Sequence, residues 1–370
     1  MATRMSDARR TLNQSVRIER RSATLLAAPA VLLLTVFTVV PILFALTLGF
    51  TNAQLLSPQA PQFVGLTNFS RLLGVGEVTL HAQRDPQGHI VTAPNGDVVY
   101  ERLNTYTSIN SKYPNLRGKE EWFRFGENRQ AGTVNVVVAG DPLFWQSLRN
   151  TLFFALVVVP VQGGLGLLLA LLVNERIRGR NFFRTIYFIP TLTSMVVISM
   201  LWGFMYQPSG MFNKVLQHVI PGFQPIDWLN DTRTAMPAII VLSIWQAVGY
   251  HMIIWLGGLQ TIPGEIYEAA RVDGANKWHE IRYVTLPGLR HTFVFVLITI
   301  TIAALGLFTQ INVLTQGGPL GTTSTLVYQS VLHGYQRQEI GYGSAISFVF
   351  FFMVLGIALF QRFITRRIDQ

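Results

Sequence analysis

Residues 268–288 read EAARVDGANKWHEIRYVTLPG. The stretch holds six charged side chains, Glu268, Arg271, Asp273, Lys277, Glu280 and Arg282, yet apolar runs long enough to cross a bilayer lie on both sides of it. Local rules predict a helical hairpin. Pro263 stands where a helix begins, because its missing N–H costs nothing in the first turn. Glu265 and Glu268 suit the positive end of that helix dipole. Ile262, Ile266 and Ala270 recur at helical spacing and form one apolar stripe. Gly274 ends the helix in the left-handed conformation that glycine adopts cheaply. A second short helix over 277–283 leads to Leu286-Pro287, and Ala269, Ala270 and Ala275 keep the elbow slim. Physics leaves two uses open for such a hairpin: lying on lipid headgroups, or entering a groove on another protein.

The rest of the chain explains why the hairpin stands out. Half of its 370 residues are hydrophobic and only 13% are charged, about half the charged fraction of a soluble domain. Mean hydropathy is +0.35. Runs over 23–50, 148–173, 184–206, 235–259, 292–314 and 341–363 each approach or exceed the ~20 residues that span a hydrocarbon core. The first is longer than a signal-peptide core of roughly 7–15 residues and reads as a retained helix, with Pro29 and Pro41 as kink sites. Six spans put both termini on one side. The net charge of +10 then has a simpler origin than nucleic acid, because cytoplasmic loops collect Lys and Arg. Basic residues crowd four segments on one face: the 1–22 tail (Arg4, Arg9, Arg10, Arg17, Arg20, Arg21), the 174–184 loop (Arg176, Arg178, Arg180, Arg184), the 260–291 loop (Arg271, Lys277, Arg282, Arg290) and the end (Arg362, Arg366, Arg367). That face is read as cytoplasmic, with both termini and the charged hairpin on it.

Opposite lies a polar segment over 74–140 without a spanning run. Its "HIVTAPNGDVVY" reads as two short strands around Asn95-Gly96, "TVNVVVAG" as another strand, and Trp122, Phe123 and Phe125 as aromatics of a folded insert. The expected fold is therefore an all-α polytopic membrane protein with six transmembrane helices and a small, mostly β, extracytoplasmic insert. Its core runs over 148–363 and a short tail over 364–370.

Several chemistries find no support. His251 is the one ionisable group read as lying well inside a span, and a lone histidine in a bundle is more often hydrogen-bonded packing than a proton relay. No phosphate-cradling G-x-x-x-x-G-K-[ST] occurs, nor H-E-x-x-H, nor G-x-S-x-G. There is no cysteine, so thiol catalysis and Cys-based metal sites are excluded. No catalytic or metal-ligating residue is expected, and any energy for uphill transport must come from a partner.

Glu268, Ala269, Ala270, Gly274, Leu286 and Pro287 fit the pattern E-A-A-x(3)-G-x(9)-I-x-L-P, with Val284 in place of Ile, and Asp273-Gly274-Ala275 fits its "DGA" core. This resembles the cytoplasmic loop of the inner-membrane subunits of binding-protein-dependent ABC importers, of the MetI-like fold. "FVGLTNFSRLL" (63–73), "DPLFWQSLRNTLFF" (141–154), "FFRTIYFIPTLTSMVVISMLW" (182–202), "NVLTQGGP" (312–319) and "GYGSAISF" (341–348) are similar to the carbohydrate-uptake branch, and to its maltose-type and glycerol-phosphate-type first permease. The resemblance implies that Glu268, Ala269, Ala270, Asp273, Gly274 and Ala275 dock on an ATPase. It implies a multi-pass protein of a bacterial or archaeal plasma membrane. The implied partners are a second, non-identical permease, an ATPase dimer that binds ATP and Mg in place of this chain, an extracytoplasmic sugar-binding protein contacted by the insert, and membrane lipid.

For a sugar, aromatic faces and amides midway along a span are the candidate path residues: Trp245, Gln246 and Tyr250 on the fourth span, with Gln310 and Asn312 near the outer end of the fifth. Gln246 and Tyr250 share a helix face. The polar sugar-site positions of the maltose-type subunit fall here on Ile300, Ala303, Ala304 and Leu307, none of which offers a side-chain hydrogen bond. The expected function is the permease subunit of an ATP-driven sugar importer. The alternatives are a permease for glycerol phosphate or a polyol, or a stand-alone channel or carrier.

Overall fold

The computed structural model describes residues 23, 24, 26–175 and 178–366. The basic tail with Arg4, Arg9, Arg10, Arg17, Arg20 and Arg21 lies outside these residues, as do Arg176 and Arg367. The helices are α1 (Leu26–Leu48), the short α2 (Thr67–Leu73), α3 (Pro142–Asn174), α4 (Arg180–Leu192), α5 (Met195–Met205), α6 (Met211–Val219), α7 (Ala235–Gln260), α8 (Gly264–Val272), α9 (Arg290–Leu305), α10 (Thr309–Leu314), α11 (Leu326–Val331) and α12 (Ile340–Arg366). Among the described residues five helical spans are long and apolar enough to cross a membrane, with α9 and α10 forming one of them, and the bent pair α4–α5 passes the same test when its two helices are taken together.

The third span departs from the expected single run over 184–206. α4 and α5 meet at 97°. The backbone leaves the helical region at Thr193 and Ser194. Pro190 supplies no N–H to the helix ladder, and the Thr191 hydroxyl donates to the Gln246 carbonyl of α7 at 3.0 Å. The second span also differs. Asp141 Oδ1 accepts from the Phe144 N–H at 2.9 Å and starts α3 at Pro142, ahead of the expected 148. Arg149 and Arg184 stand near the starts of α3 and α4, whereas His251 lies well inside α7. α3 has 33 residues, about 50 Å at roughly 1.5 Å each, so its first turns extend past a hydrocarbon core of about 30 Å.

α7 is the centre of the bundle, packed against α3, α4 and α9. A Cβ at Gly249 would overlap the Tyr187 carbonyl oxygen, so α4 lies with its backbone directly on α7. Between α3 and α7, Gln162 Nε2 sits 2.8 Å from His251 Nδ1, and the Trp255 indole donates to the Gly163 carbonyl at 3.1 Å. His251 is thus buried, hydrogen-bonded packing. Apolar side chains of α3, α7 and α9, among them Phe154, Met252 and Ile300, fill the core around it.

The insert is a three-stranded antiparallel sheet ordered β1-β3-β2, with β1 (Val75–His81), β2 (Glu120–Asn128) and β3 (Thr133–Ala139). Val78, Leu80, Val134, Val136 and Val138 form its core. Around Asn95-Gly96 only an isolated Thr92–Val98 bridge forms, with Gly96 at φ +87. The expected pair of strands there is reduced to isolated bridges, Thr92–Val98 between the arms and Arg84–Ile90 and Ala82–Tyr100 to the residues that follow β1. Trp122, Phe123 and Phe125 lie on the exposed edge strand β2, outside that core. Trp122 stacks on Trp145 of α3 at 5.4 Å.

Beside the insert, one polar cluster binds four elements. Glu339 accepts from Arg71 at 3.4 Å and pairs with His333 Nδ1 at 2.8 Å. The Tyr342 hydroxyl donates to Asp141 Oδ2 at 2.6 Å, and Arg71 lies 4.1 Å above the Tyr342 ring. Asn150 Nδ2 donates to the carbonyls of Gly321 and Ser324, fixing the loop before α11 on α3. The bundle so has an insert end and, opposite, a hairpin end.

Candidate functional site

The charged hairpin is built as its residues dictate. Pro263 directly precedes α8, and Glu265 sits in the first turn. At the other end the Ala275 N–H donates to the Ala270 carbonyl (2.9 Å) and the Gly274 N–H to the Arg271 carbonyl (3.0 Å). This is the paired closure of a Schellman motif, and it needs a left-handed residue at the second donor. Gly274 supplies it at φ +83. The Asn276 side chain then caps the next turn by accepting from the His279 N–H at 2.9 Å.

The second arm is longer than the expected 277–283. Helical turns run from Lys277 through a π-helical stretch, Glu280–Thr285, to Leu286–Gly288. Two contacts brace the arms. Arg271 Nε donates to Glu280 Oε1 at 2.8 Å, and the Tyr267 and Thr285 hydroxyls are 3.0 Å apart. A third contact ties the hairpin to the bundle: Lys277 Nζ donates to Glu175 Oε1 at 2.7 Å. The hydrogen bond to Lys277 lowers the Glu175 pKa, and the same bond raises that of Lys277.

Braced in this way, the hairpin leaves apolar surface uncovered. Ile266, Val272 and Trp278 are exposed, Val272 at 89%. Glu268, Ala269, Asp273 and Gly274 are exposed beside them, while Ala270 and Ala275 are half-buried. Sequence reasoning named the slim alanines and missed Val272 and Trp278. Their signal was large apolar residues within a charged stretch. It also missed the Arg271–Glu280 brace, whose nine-residue separation matches no local helix pairing rule.

A second feature lies on α7. Half of the span is buried within the chain, yet Pro237, Val241, Trp245, Tyr250, Ile253 and Gly257 are exposed, an open stripe that winds round the helix along its length. Trp245 is braced by Trp202 at 5.2 Å and Tyr250 stands edge-on to His251 at 5.1 Å. Gln246 flanks the stripe, half-buried. Gln310 is turned inward: it is buried and donates to Ser243 Oγ at 3.3 Å, a bond between helices and away from the stripe. Asn312 lies on α10, half-buried. Ile300, Ala304 and Leu307 are buried in the apolar core, and Ala303 is exposed. Among the described residues no group of three or more metal-ligating side chains is gathered.

A helical membrane bundle with an unfilled face on its central helix and a braced, partly apolar hairpin at one end defines a transport permease component. The chain belongs to the binding-protein-dependent transport system inner membrane component family, whose pattern matches residues 162–370. The lactose transport system permease protein LacF of Rhizobium radiobacter is 36% identical over 241 residues, covering 64% of this chain and 81% of that one. The trehalose/maltose transport system permease protein MalF of Thermococcus litoralis is 37% identical over 217 residues, covering 58% and 72%. A bacterial ABC transporter involved in the import of the acidic polysaccharide alginate has the same fold, with a TM-score of 0.67 at 20% identity over 96% of this chain and all (100%) of that one. A chain of an alginate ABC transporter solved with its pentasaccharide-bound periplasmic protein matches with a TM-score of 0.58 at 26% identity, over 62% and 81%.

Proposed function

We propose that this chain is one transmembrane half of an ATP-driven sugar importer. It sits in a bacterial or archaeal plasma membrane with the hairpin end in the cytoplasm and the insert outside. The braced hairpin carries this reading: its exposed face of Val272, Trp278 and small residues is a shape to be gripped, and the chain has no nucleotide-binding loop of its own. A separate ATPase dimer grips it there. Arg271–Glu280 keeps the two arms together and Lys277–Glu175 links the hairpin to the end of α3, so closure of the ATPases is passed to the spans through the hairpin. A second, non-identical permease faces the α7 stripe, and the path runs between them past Trp245 and Tyr250. The names of the sugar-permease relatives favour a sugar over a phosphate. The apolar burial of Ile300, Ala304 and Leu307 argues against a maltose-type pocket in this half, so the partner half holds much of the substrate. An extracytoplasmic binding protein delivers the sugar, and the insert is one of its contacts.

Co-purification in mild detergent together with uptake of labelled sugars tests this. The expected result is an ATPase bound in stoichiometric amount and uptake that needs both ATPase and binding protein. Uptake by the chain alone would instead identify a channel or secondary carrier.

A further inference from the structure

A cavity of about 450 Å³ opens between α5, α10, the turn that follows α5 and the loop between α6 and α7. One wall is apolar, with Met200, Phe204 and Leu314. The rim is polar, with Gln207, Asp227 and Asn230. Behind the wall the Ser199 hydroxyl is closed from solvent and has no hydrogen-bond partner.

The rim is held in place. Asn213 is fully buried and uses its whole side-chain amide. It donates to the carbonyls of Gln207 (3.0 Å) and Ile226 (2.8 Å), and its oxygen accepts from the Ile226 N–H (3.0 Å) and the Trp228 indole (3.2 Å). An amide has two donors and two acceptor sites, and from α6 all are spent on fixing the Gln207 turn to the loop that carries Asp227. Tyr206 supports the arrangement, with its hydroxyl on the Ala238 carbonyl at 2.8 Å and its ring 6.2 Å from that of Trp228. The cavity is therefore preorganised.

The rim retains unused capacity. The Asn230 amide donates to both Asp227 oxygens, at 3.1 and 3.0 Å, but a carboxylate has roughly four acceptor sites. The Gln207 side chain has no partner among the described residues, and Asp227 has no ion pair there. Acceptors and an amide beside an apolar wall match a solute with hydroxyl edges and a C–H face. The unneutralised carboxylate disfavours anionic solutes. Tyr206 of the cavity lining packs against Trp202 at 5.5 Å, and Trp202 against Trp245 of α7 at 5.2 Å, so the cavity and the proposed path share one aromatic wall.

We infer that this cavity is an outer-mouth subsite for a neutral saccharide, with Asp227, Asn230 and Gln207 holding its hydroxyls and Phe204 and Met200 its apolar face. The inference rests on the sugar-import reading and adds the place where the substrate first meets this chain.

The chain has no cysteine, so Asn230→Cys or Gln207→Cys introduces a single thiol. Each is expressed with the complete importer in whole cells and labelled with a membrane-impermeant maleimide. Labelling is followed with maltose, lactose, trehalose or galacturonate present, while uptake of each is measured in parallel. A neutral sugar that is taken up should slow labelling at both positions, galacturonate should not, and a control thiol at Gln87 in the insert should be unaffected. Asp227→Asn should raise KM for that sugar roughly tenfold, the loss expected for a hydrogen bond to a charged group, with kcat little changed. Normal uptake with unprotected thiols, or no labelling from outside at either position, overturns the subsite and leaves the import reading standing. Absence of uptake for every sugar overturns the import reading and the subsite with it.

Discussion

Lys277 Nζ and Glu175 Oε1 are 2.7 Å apart, so the charged hairpin is fastened to the hairpin end of α3, the longest helix of the bundle. Both side chains are largely exposed, at 74% and 62%, and such pairs contribute at most about 1 kcal/mol. Lys277→Ala should leave thermal stability nearly unchanged in detergent. If the pair transmits motion, the same variant lowers uptake per ATP hydrolysed. Unchanged coupling would show that the bond is only decoration on the surface.

Arg271 and Glu280 brace the two arms of the hairpin, and the Glu280 carboxylate is mostly buried, with 9% of its side chain exposed. Removing the arginine leaves that carboxylate without its charge partner. Arg271→Ala should reduce sugar uptake several-fold while membrane insertion and subunit assembly persist. Exchanging the two, Arg271→Glu with Glu280→Arg, should recover part of it. Uptake assays on wild type, Arg271→Glu, Glu280→Arg and the exchanged pair form the cycle, and no recovery in the exchange would argue against a specific brace.

Gly274 adopts φ +83, and a Cβ there would touch nothing within 4 Å. The position is thus limited by backbone conformation and by whatever grips the hairpin. Gly274→Ala meets the left-handed penalty of roughly 1–2 kcal/mol and should weaken the hairpin modestly. Gly274→Leu adds bulk on an exposed face and should abolish uptake with normal insertion. Equal uptake by the leucine and alanine variants would exclude close docking at this elbow.

At Gly249 the limit is space. Any Cβ would overlap the Tyr187 carbonyl, which is backbone and cannot rotate away. Gly249→Ala should force α4 off α7, at a cost in the overpacking range of about 1–3 kcal/mol. A lower apparent Tm of the detergent-solubilised protein is the expected outcome.

The cluster of His333, Glu339, Arg71, Arg337, Asp141 and Tyr342 gives the insert end a pH dependence. Burial lowers the His333 pKa below its ordinary 6.5, more than the hydrogen bond to Glu339 raises it. For Glu339, burial pushes the pKa up, but His333 and Arg71 hold it net below 4.5. Both shifts favour the deprotonated folded state. The His333 contribution is full above pH 6.5 and fades as pH falls through its lowered value; that of Glu339 is full above pH 4.5 and fades below. Thermal stability should therefore fall on acidification below 6.5, and His333→Phe should flatten the upper part of that decline.

The sequence by itself determined the spans, the elbow and the insert, because each follows from local chemistry. Apolar length predicts a crossing, Gly274 a left-handed cap, and β-branched alternation over 133–139 a strand. It did not reveal the 97° turn inside the third span, since hydropathy averages across Pro190 and Thr193 and carries no direction. It named Gln310 as a path residue because polarity on a span is visible in sequence. Only the tertiary structure decided that this amide faces Ser243 while Trp245 and Tyr250 remain uncovered. The Arg271–Glu280 brace and the Asn213 hub belong to the same class: they join residues too far apart in sequence for a local rule, and so exist only once the chain is packed.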